Sequence, residues 1–187
     1  MSSFEAAGTR ISIDPETLRE IVLDPAALTE WCAAHPTDPR AVAFLGRLDE
    51  AAIAGRQALE APGLSPVMRA VRRTRYAHVL QWQGAFVAAE EQLDLAAEET
   101  GLEDPTSPSS LSALASVFQH RATCRFEHAL AEQRDQRPRA AGRLWEAALE
   151  DAQRALYMRE RLAVAAEGVI ESSRQTVRRL ERRDLDG

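Results

Sequence analysis

The chain has 187 residues, of which 45% are hydrophobic and 28% are charged, and its formal net charge is −6. These values exclude a disordered tail, and no apolar run approaches the roughly 20 residues of a membrane-spanning helix. An acidic chain is also a poor general binder of nucleic acid. The first residues contain no basic segment followed by an apolar one, so we expect no signal peptide and a cytoplasmic protein.

The beginning of the chain predicts a leader followed by two short helices. Residues 1–13 show no helical period, and we expect a loosely attached leader or a short extended arm. Asp14 and Asp24 each precede a proline. An acidic N-cap with proline in the first turn is typical of a helix start. The sequence therefore predicts helices near 15–22 and 25–34.

Three later segments contain two alanines seven positions apart. These pairs are Ala51 and Ala58, Ala89 and Ala96, and Ala148 and Ala155. In the second segment Leu93 lies between the alanines, which predicts a close-packing face on a helix from Phe86 to Glu99. Gly84 is expected to end the preceding helix, 66–82. It stands five residues before Ala89, and Gly46 stands five residues before Ala51. Both glycines are interpreted as turns between paired helices.

This order of helix, Gly turn, aromatic residue and Ala-heptad helix resembles the tetratricopeptide repeat, in a degenerate bacterial form. The resemblance implies an all-α fold, with hairpins near 39–60, 66–99 and 110–165 stacked in a short right-handed solenoid. A terminal helix at 169–183 would close this stack, and 14–187 would form one domain. The third copy has Arg143 at the turn position. We interpret the arginines of the terminal helix as a solvated face: Arg174, Arg178, Arg179, Arg182 and Arg183.

The resemblance implies a protein–protein interaction module, because most proteins of this family bind a partner segment in a groove lined by the first helices. On helix 66–82 the candidate binding residues are Arg69, Arg72, Arg73, Tyr76 and Gln83. In the family's geometry this stripe faces His120 and Glu127 of helix 110–131. Guanidinium groups bind carboxylates through paired hydrogen bonds, so we expect an acidic protein or peptide partner. The alternative is a solvated face paired with local acids.

His120, Cys124 and His128 are spaced four residues apart, which places them along one helical face. They are zinc-ligand types, so the alternative function is a metal-dependent or other small-ligand-binding helical protein. However, His120 and His128 lie about 12 Å apart along a helix, too far to share one ion. We therefore expect no bound metal or cofactor.

Motifs for catalysis are lacking in the sequence. It contains no nucleophile with a placed base, no Gly-rich phosphate loop and no metalloprotease motif. We therefore expect a non-enzymatic protein whose ligand is a protein or peptide, with no nucleic acid or membrane among its partners. Assembly into a homo-oligomer and the number of regular repeats stay open.

Overall fold

The computed structural model describes residues 3–102, 104, 106–162 and 165–182. These residues form three strands and eight helices: β1 Ser3–Ala6, β2 Thr9–Ile13, β3 Glu20–Val22, α1 Pro25–Ala34, α2 Pro39–Phe44, α3 Leu48–Glu60, α4 Pro66–Trp82, α5 Phe86–Thr100, α6 Pro108–Arg134, α7 Pro138–Arg161 and α8 Glu167–Glu181. The protein is mostly helical, as the sequence predicts, but it also contains a small sheet that the all-α prediction missed.

Residues 3–22, which we call the N-terminal segment, form this sheet. Its strands are antiparallel in the order β1-β2-β3. Ile11 lies in the middle strand, pairs with Phe4 and Val22, and is completely buried. Ile13 and Leu18 join the hydrophobic core formed by α6, α7 and α8. The prediction of a loosely attached leader was therefore wrong for the described part of 1–13.

The helix predicted near 15–22 is a single turn followed by β3. The Asp14 carboxylate accepts hydrogen bonds from the amides of Glu16 and Thr17 at 2.9 and 2.7 Å, so the capping signal is real. Leu18 then has a φ of 58°, in the left-handed region that ends a right-handed helix. The chain reverses there, and Ile21 pairs with Ser12 in the sheet.

Two of the interpreted turns have the backbone conformation that glycine favours. Gly46 separates α2 from α3 with a φ of 79°, and Gly84 separates α4 from α5 with a φ of 78°. The third turn lies elsewhere, because Gln136 has a φ of 59° between α6 and α7. Arg143 lies inside α7, so its interpretation as a turn residue was wrong.

Small residues allow α4 and α5 to pack closely. Ala70 and Ala77 of α4 join Ala89, Leu93 and Ala96 of α5 in one buried cluster. All four alanines are completely buried. The Ala-heptad pattern therefore marks a helix contact, as the sequence predicts.

The N-terminal segment is attached to the last helix, α8. A Cβ atom added to Gly168 would lie 2.2 Å from the Ser3 carbonyl oxygen, so only glycine permits β1 to cross the start of α8 so closely. Gln175 Nε2 donates to the Ile13 carbonyl at 3.0 Å, and Arg179 Nε donates to the Glu16 carbonyl at 2.9 Å. These contacts join the two ends of the described chain.

The arginines of α8 divide between solvent and the core. Arg174 and Arg178 are partly exposed and pair with neighbouring carboxylates, including that of Glu171. Arg179 is only 12% exposed in its side chain, and its guanidinium lies 5.1 Å from the centre of the Phe126 ring. The solvated-face prediction was therefore wrong for Arg179, and Arg183 lies outside the described residues.

We expect Ala89→Leu to lower the free energy of unfolding by about 1–3 kcal/mol, because the larger side chain overpacks the contact between α4 and α5. Val87→Leu on the same helix is the control, since Val87 is 64% exposed. This control should change stability by no more than about 0.5 kcal/mol. Urea denaturation of both variants measures the difference. If the Ala89→Leu and Val87→Leu variants had equal free energies of unfolding, the contact between α4 and α5 would not confine the Ala89 side chain.

Candidate functional site

A polar cavity lies where the N-terminal segment covers the helices. Its volume is about 200 Å³, and aliphatic side chains such as Ile13, Leu18 and Val169 form part of its wall. Titratable and amide side chains from five elements form the rest: Glu20 of β3, Arg40 of α2, His78 and Gln81 of α4, Gln119, His120 and Glu127 of α6, and Arg159 of α7. Arg19 and Glu5 also line the cavity. So many polar groups in one enclosed space make this the candidate site.

Two histidines lie side by side in the cavity wall. The His78 and His120 ring centres are 4.6 Å apart. Burial, with the nearby Arg40 guanidinium, lowers the pKa of His78 to about 3. Burial and the neighbouring His78 hold the pKa of His120 well below its usual value. Both rings are therefore neutral at pH 7, and each offers one hydrogen-bond donor and one acceptor.

Two ion pairs connect the N-terminal segment to the helices at the cavity. Arg40 donates to Glu20 at 2.6 Å, and Arg19 donates to Glu127 at 3.0 Å. Gln81 Nε2 also donates to Glu127 Oε1 at 3.1 Å. The carboxylates are largely buried, with side-chain exposures of 8% for Glu20 and 7% for Glu127. These pairs offset the cost of enclosing both carboxylates.

Three buried atoms on the cavity wall have no hydrogen-bond partner within the described part of the chain. They are Glu20 Oε2, Gln81 Oε1 and Arg40 Nε. The distance of 4.0 Å from Glu20 Oε2 to His78 Nδ1 is too long for a hydrogen bond. An unsatisfied buried polar atom costs about 1–3 kcal/mol. The wall therefore offers two acceptors and one donor to a bound molecule.

Arg159 brings a further positive charge to the cavity. It is 8% exposed, and its Nη1 donates to Ser173 Oγ at 2.6 Å and to Gln119 Oε1 at 3.3 Å. The structure records no ion pair for it among the described residues. Burial lowers its pKa to about 10, so it is still charged at pH 7. Its Nη1 also donates to the Val169 carbonyl at 3.2 Å, so its hydrogen bonds go to neutral acceptors, and its charge favours a nearby anion.

The predicted Arg and Tyr stripe is not part of this cavity. Arg72 Nη1 donates to the Ala58 carbonyl of α3 at 2.6 Å, and the Tyr76 ring lies against Gly55 of α3. Gln83 Nε2 donates to Asp49 of α3 at 3.0 Å.

The other two members of the stripe make different contacts. Arg73 turns toward α5, where it donates to Glu99 at 2.9 Å and to Gln92 at 2.8 Å. Arg69 is exposed. The members of the stripe therefore face α3, α5 and solvent in turn.

The expectation that the stripe faces His120 and Glu127 was wrong, because α4 is packed between α3 and α6. His78 lies two residues after Tyr76, a rotation of about 200° around the helix. Residues that contact α3 thus point away from α6, and His78 and Gln81 contact α6 instead. Sequence analysis missed both residues, although they lie four and seven residues after the buried Thr74 and thus on the same face of the helix.

The His120, Cys124 and His128 stripe is divided between two environments. His120 lies in the cavity, whereas Cys124 is buried with its Sγ 3.8 Å from the Phe86 carbonyl. His128 Nδ1 lies 3.1 Å from Glu90 Oε1 of α5. Burial raises the pKa of the Cys124 thiol. Within the described residues no group of three potential ligands is arranged for a metal ion.

No family model, curated protein or solved structure matches the chain. None of the described helices combines the length and apolar character needed to cross a bilayer. The tetratricopeptide resemblance therefore stays a prediction.

We expect stability to fall as the pH falls below about 6.5. The unfolded chain binds a proton at each histidine near pH 6.5, whereas folded His78 does so only near pH 3. The unfolded state thus binds more protons, and at pH 5 the loss is up to about 2 kcal/mol for His78. Denaturation at pH 7 and pH 5 measures it.

His78→Gln should remove this part of the pH dependence. His35→Gln is the matched control, because His35 is exposed to solvent. If His78→Gln showed the same loss between pH 7 and pH 5 as the unmodified protein, His78 would not be buried in its neutral form.

Proposed function

We propose that the protein binds a small polar ligand in the cavity beneath the N-terminal segment. The observation that carries this proposal is the set of three unpartnered buried atoms on Glu20, Gln81 and Arg40. A volume of about 200 Å³ is far above the roughly 10–15 Å³ that a single water molecule needs. The ligand is therefore of metabolite size.

Entry to the cavity involves the ion pair between Arg19 and Glu127. Both residues also line a second, more open groove on the outside, next to Phe86 and Leu130. The Arg19 side chain is 62% exposed, whereas that of Glu127 is 7% exposed. Rotation of Arg19 thus opens a route to the cavity and lets water reach the Glu127 carboxylate in place of the guanidinium.

The geometry supports binding in preference to catalysis. Thr123 lines the cavity and lies three residues after His120. Its hydroxyl donates to the His120 carbonyl at 3.0 Å. It is therefore engaged with its own helix and is not held by the imidazole ring as an activated nucleophile. The cavity groups offer hydrogen bonds and charge, which are the properties of a binding site.

Nuclear magnetic resonance of the full chain tests ligand binding. A mixture of small amino acids, hydroxy acids and sugars is added, and the side-chain signals of His78, His120 and Gln81 are followed. We expect shifts confined to the cavity, because these groups line it. The Gln81→Leu variant should need at least tenfold more ligand to show the same shifts, because the substitution removes an unpartnered acceptor.

Gln83→Leu is the control for this experiment. Gln83 lies two residues after Gln81, directly after α4 ends, and its side chain contacts Asp49 of α3 instead of the cavity. An equal response of the Gln81→Leu and Gln83→Leu variants would contradict binding at the cavity wall. The absence of any shift at millimolar concentrations of each compound class would contradict the proposed function.

A second candidate function is the interaction module that the sequence predicts. Support comes from an open groove of about 640 Å³ between α1, α2, α3 and α4, which we call the basic groove. Arg72 and Arg75 form one wall. The Asp38 carboxylate of the opposite wall is engaged by Trp31 Nε1 and by the amide of Arg40, at 3.1 and 3.0 Å. The groove therefore offers guanidinium groups to an acidic segment.

The order of the helices also supports the tetratricopeptide-like arrangement on which this candidate depends. Each helix from α2 to α8 packs against the next one in the chain, and α4 also contacts α6. Contacts between the first helices of successive hairpins are typical of stacked repeats. We propose on this basis that the hairpins stack as a short solenoid carrying the basic groove on one side.

Charge reversal at Arg75 tests the basic groove. We expect Arg75→Glu to weaken binding of a fluorescent poly-glutamate peptide at least tenfold at low salt, because it replaces an attractive contact with a repulsive one. Arg139→Glu changes the net charge equally at an exposed site on α7. Fluorescence anisotropy compares the two variants. Equal weakening would show that only the total charge matters.

A further inference from the structure

The charges of the cavity leave one positive group uncompensated. Arg40 pairs with Glu20, and Arg19 pairs with Glu127. Arg159 has no ion pair among the described residues. A third carboxylate, that of Glu5, belongs to an exposed residue at the rim, where water screens its charge. The enclosed space therefore favours a ligand with a single negative charge.

The unpartnered atoms specify the rest of the ligand. Glu20 Oε2 and Gln81 Oε1 accept hydrogen bonds, so the ligand has to present donors to them. An ammonium donor would add a positive charge beside Arg40 and would cancel the negative charge that Arg159 favours. Hydroxyl groups donate without changing the charge. Neutral donors therefore suit these two acceptors, and hydroxyl groups are the simplest of them.

Glu20, Gln81, Arg40 and Arg159 line the same cavity of about 200 Å³, together with the rings of His78 and His120. A molecule that fits the cavity thus meets the positive and the accepting groups together.

We propose that the ligand is a small hydroxycarboxylate, with its carboxylate at Arg159 and its hydroxyl groups donating to Glu20 and Gln81. This inference rests on the proposed ligand-binding function and names the ligand's chemical class. Arg159 supplies charge-assisted hydrogen bonds to the carboxylate, and the unpartnered Arg40 Nε supplies a further donor. The neutral imidazole rings of His78 and His120 each have one donor and one acceptor nitrogen, so they can bond to the carboxylate or to the hydroxyl groups of the ligand.

Three probe compounds separate the two requirements in the unmodified protein. Glycerate carries both the carboxylate and the hydroxyl groups, acetate carries only the charge, and glycerol carries only the hydroxyl groups. Isothermal titration calorimetry should give an affinity for glycerate at least tenfold higher than for acetate or glycerol. Equal affinity for glycerol and glycerate would overturn the need for a negative charge, and equal affinity for acetate and glycerate would overturn the need for hydroxyl groups.

Arg159→Gln tests the anchoring residue. It should weaken glycerate binding at least tenfold and leave glycerol binding unchanged, because only the carboxylate meets the guanidinium. Arg154→Gln is the control on the same helix, since Arg154 is exposed and pairs with Glu150. Retention of full glycerate affinity by a folded Arg159→Gln variant would overturn the assignment. If this variant does not fold, the three probes in the unmodified protein still decide the ligand class.

Failure of this inference is distinguishable from failure of the proposed function. Shifts at His78 and Gln81 with a sugar or an amino acid, but none with glycerate, would overturn the hydroxycarboxylate class alone. Absence of binding by every compound class would overturn both. Glycerate shifts confined to residues outside the cavity would also overturn this inference, because the site would lie elsewhere.

Discussion

Enclosure of charged groups beneath the N-terminal segment is the constraint on which the rest of the structure depends. Once β3 and the turn before it cover α4 and α6, the carboxylates of Glu20 and Glu127 leave water and need partners. Arg40 and Arg19 supply them from α2 and from the segment itself. Gly168 permits the backbone contact with α8 that holds the segment in place. The cavity is therefore a product of how the two ends of the chain meet.

Local signals in the sequence predicted much of the helical structure. Helix α4 has the predicted bounds, and Gly46 and Gly84 form the predicted turns, because capping residues and left-handed glycines act within a few residues. The sheet was missed because its strands are short and pair across turns, as Ile11 does with Val22, and a helical period does not report such pairing. Asp14 misled the prediction, since an acidic cap also begins a single turn.

The candidate site was only partly predictable for a related reason. His120 and Glu127 were chosen from their spacing on α6, and both lie in the cavity. His78 and Gln81 were missed, because an amphipathic pattern does not say which neighbour covers each face of α4. That helix separates two surfaces, with the cavity on the α6 side and the basic groove on the α3 side. The two proposed binding functions thus use different residues of one helix and are separable by mutation.

Hydrogen exchange of the backbone amides in the full chain tests most directly whether the N-terminal segment closes the cavity. The structure places β2 between two strands and buries Ile11 completely, so its amides should exchange nearly as slowly as those around Phe126 in α6. A loosely attached leader would instead exchange at the rate of an unstructured peptide while α6 stayed protected. That result would leave Glu20 in solvent and would contradict the closed cavity.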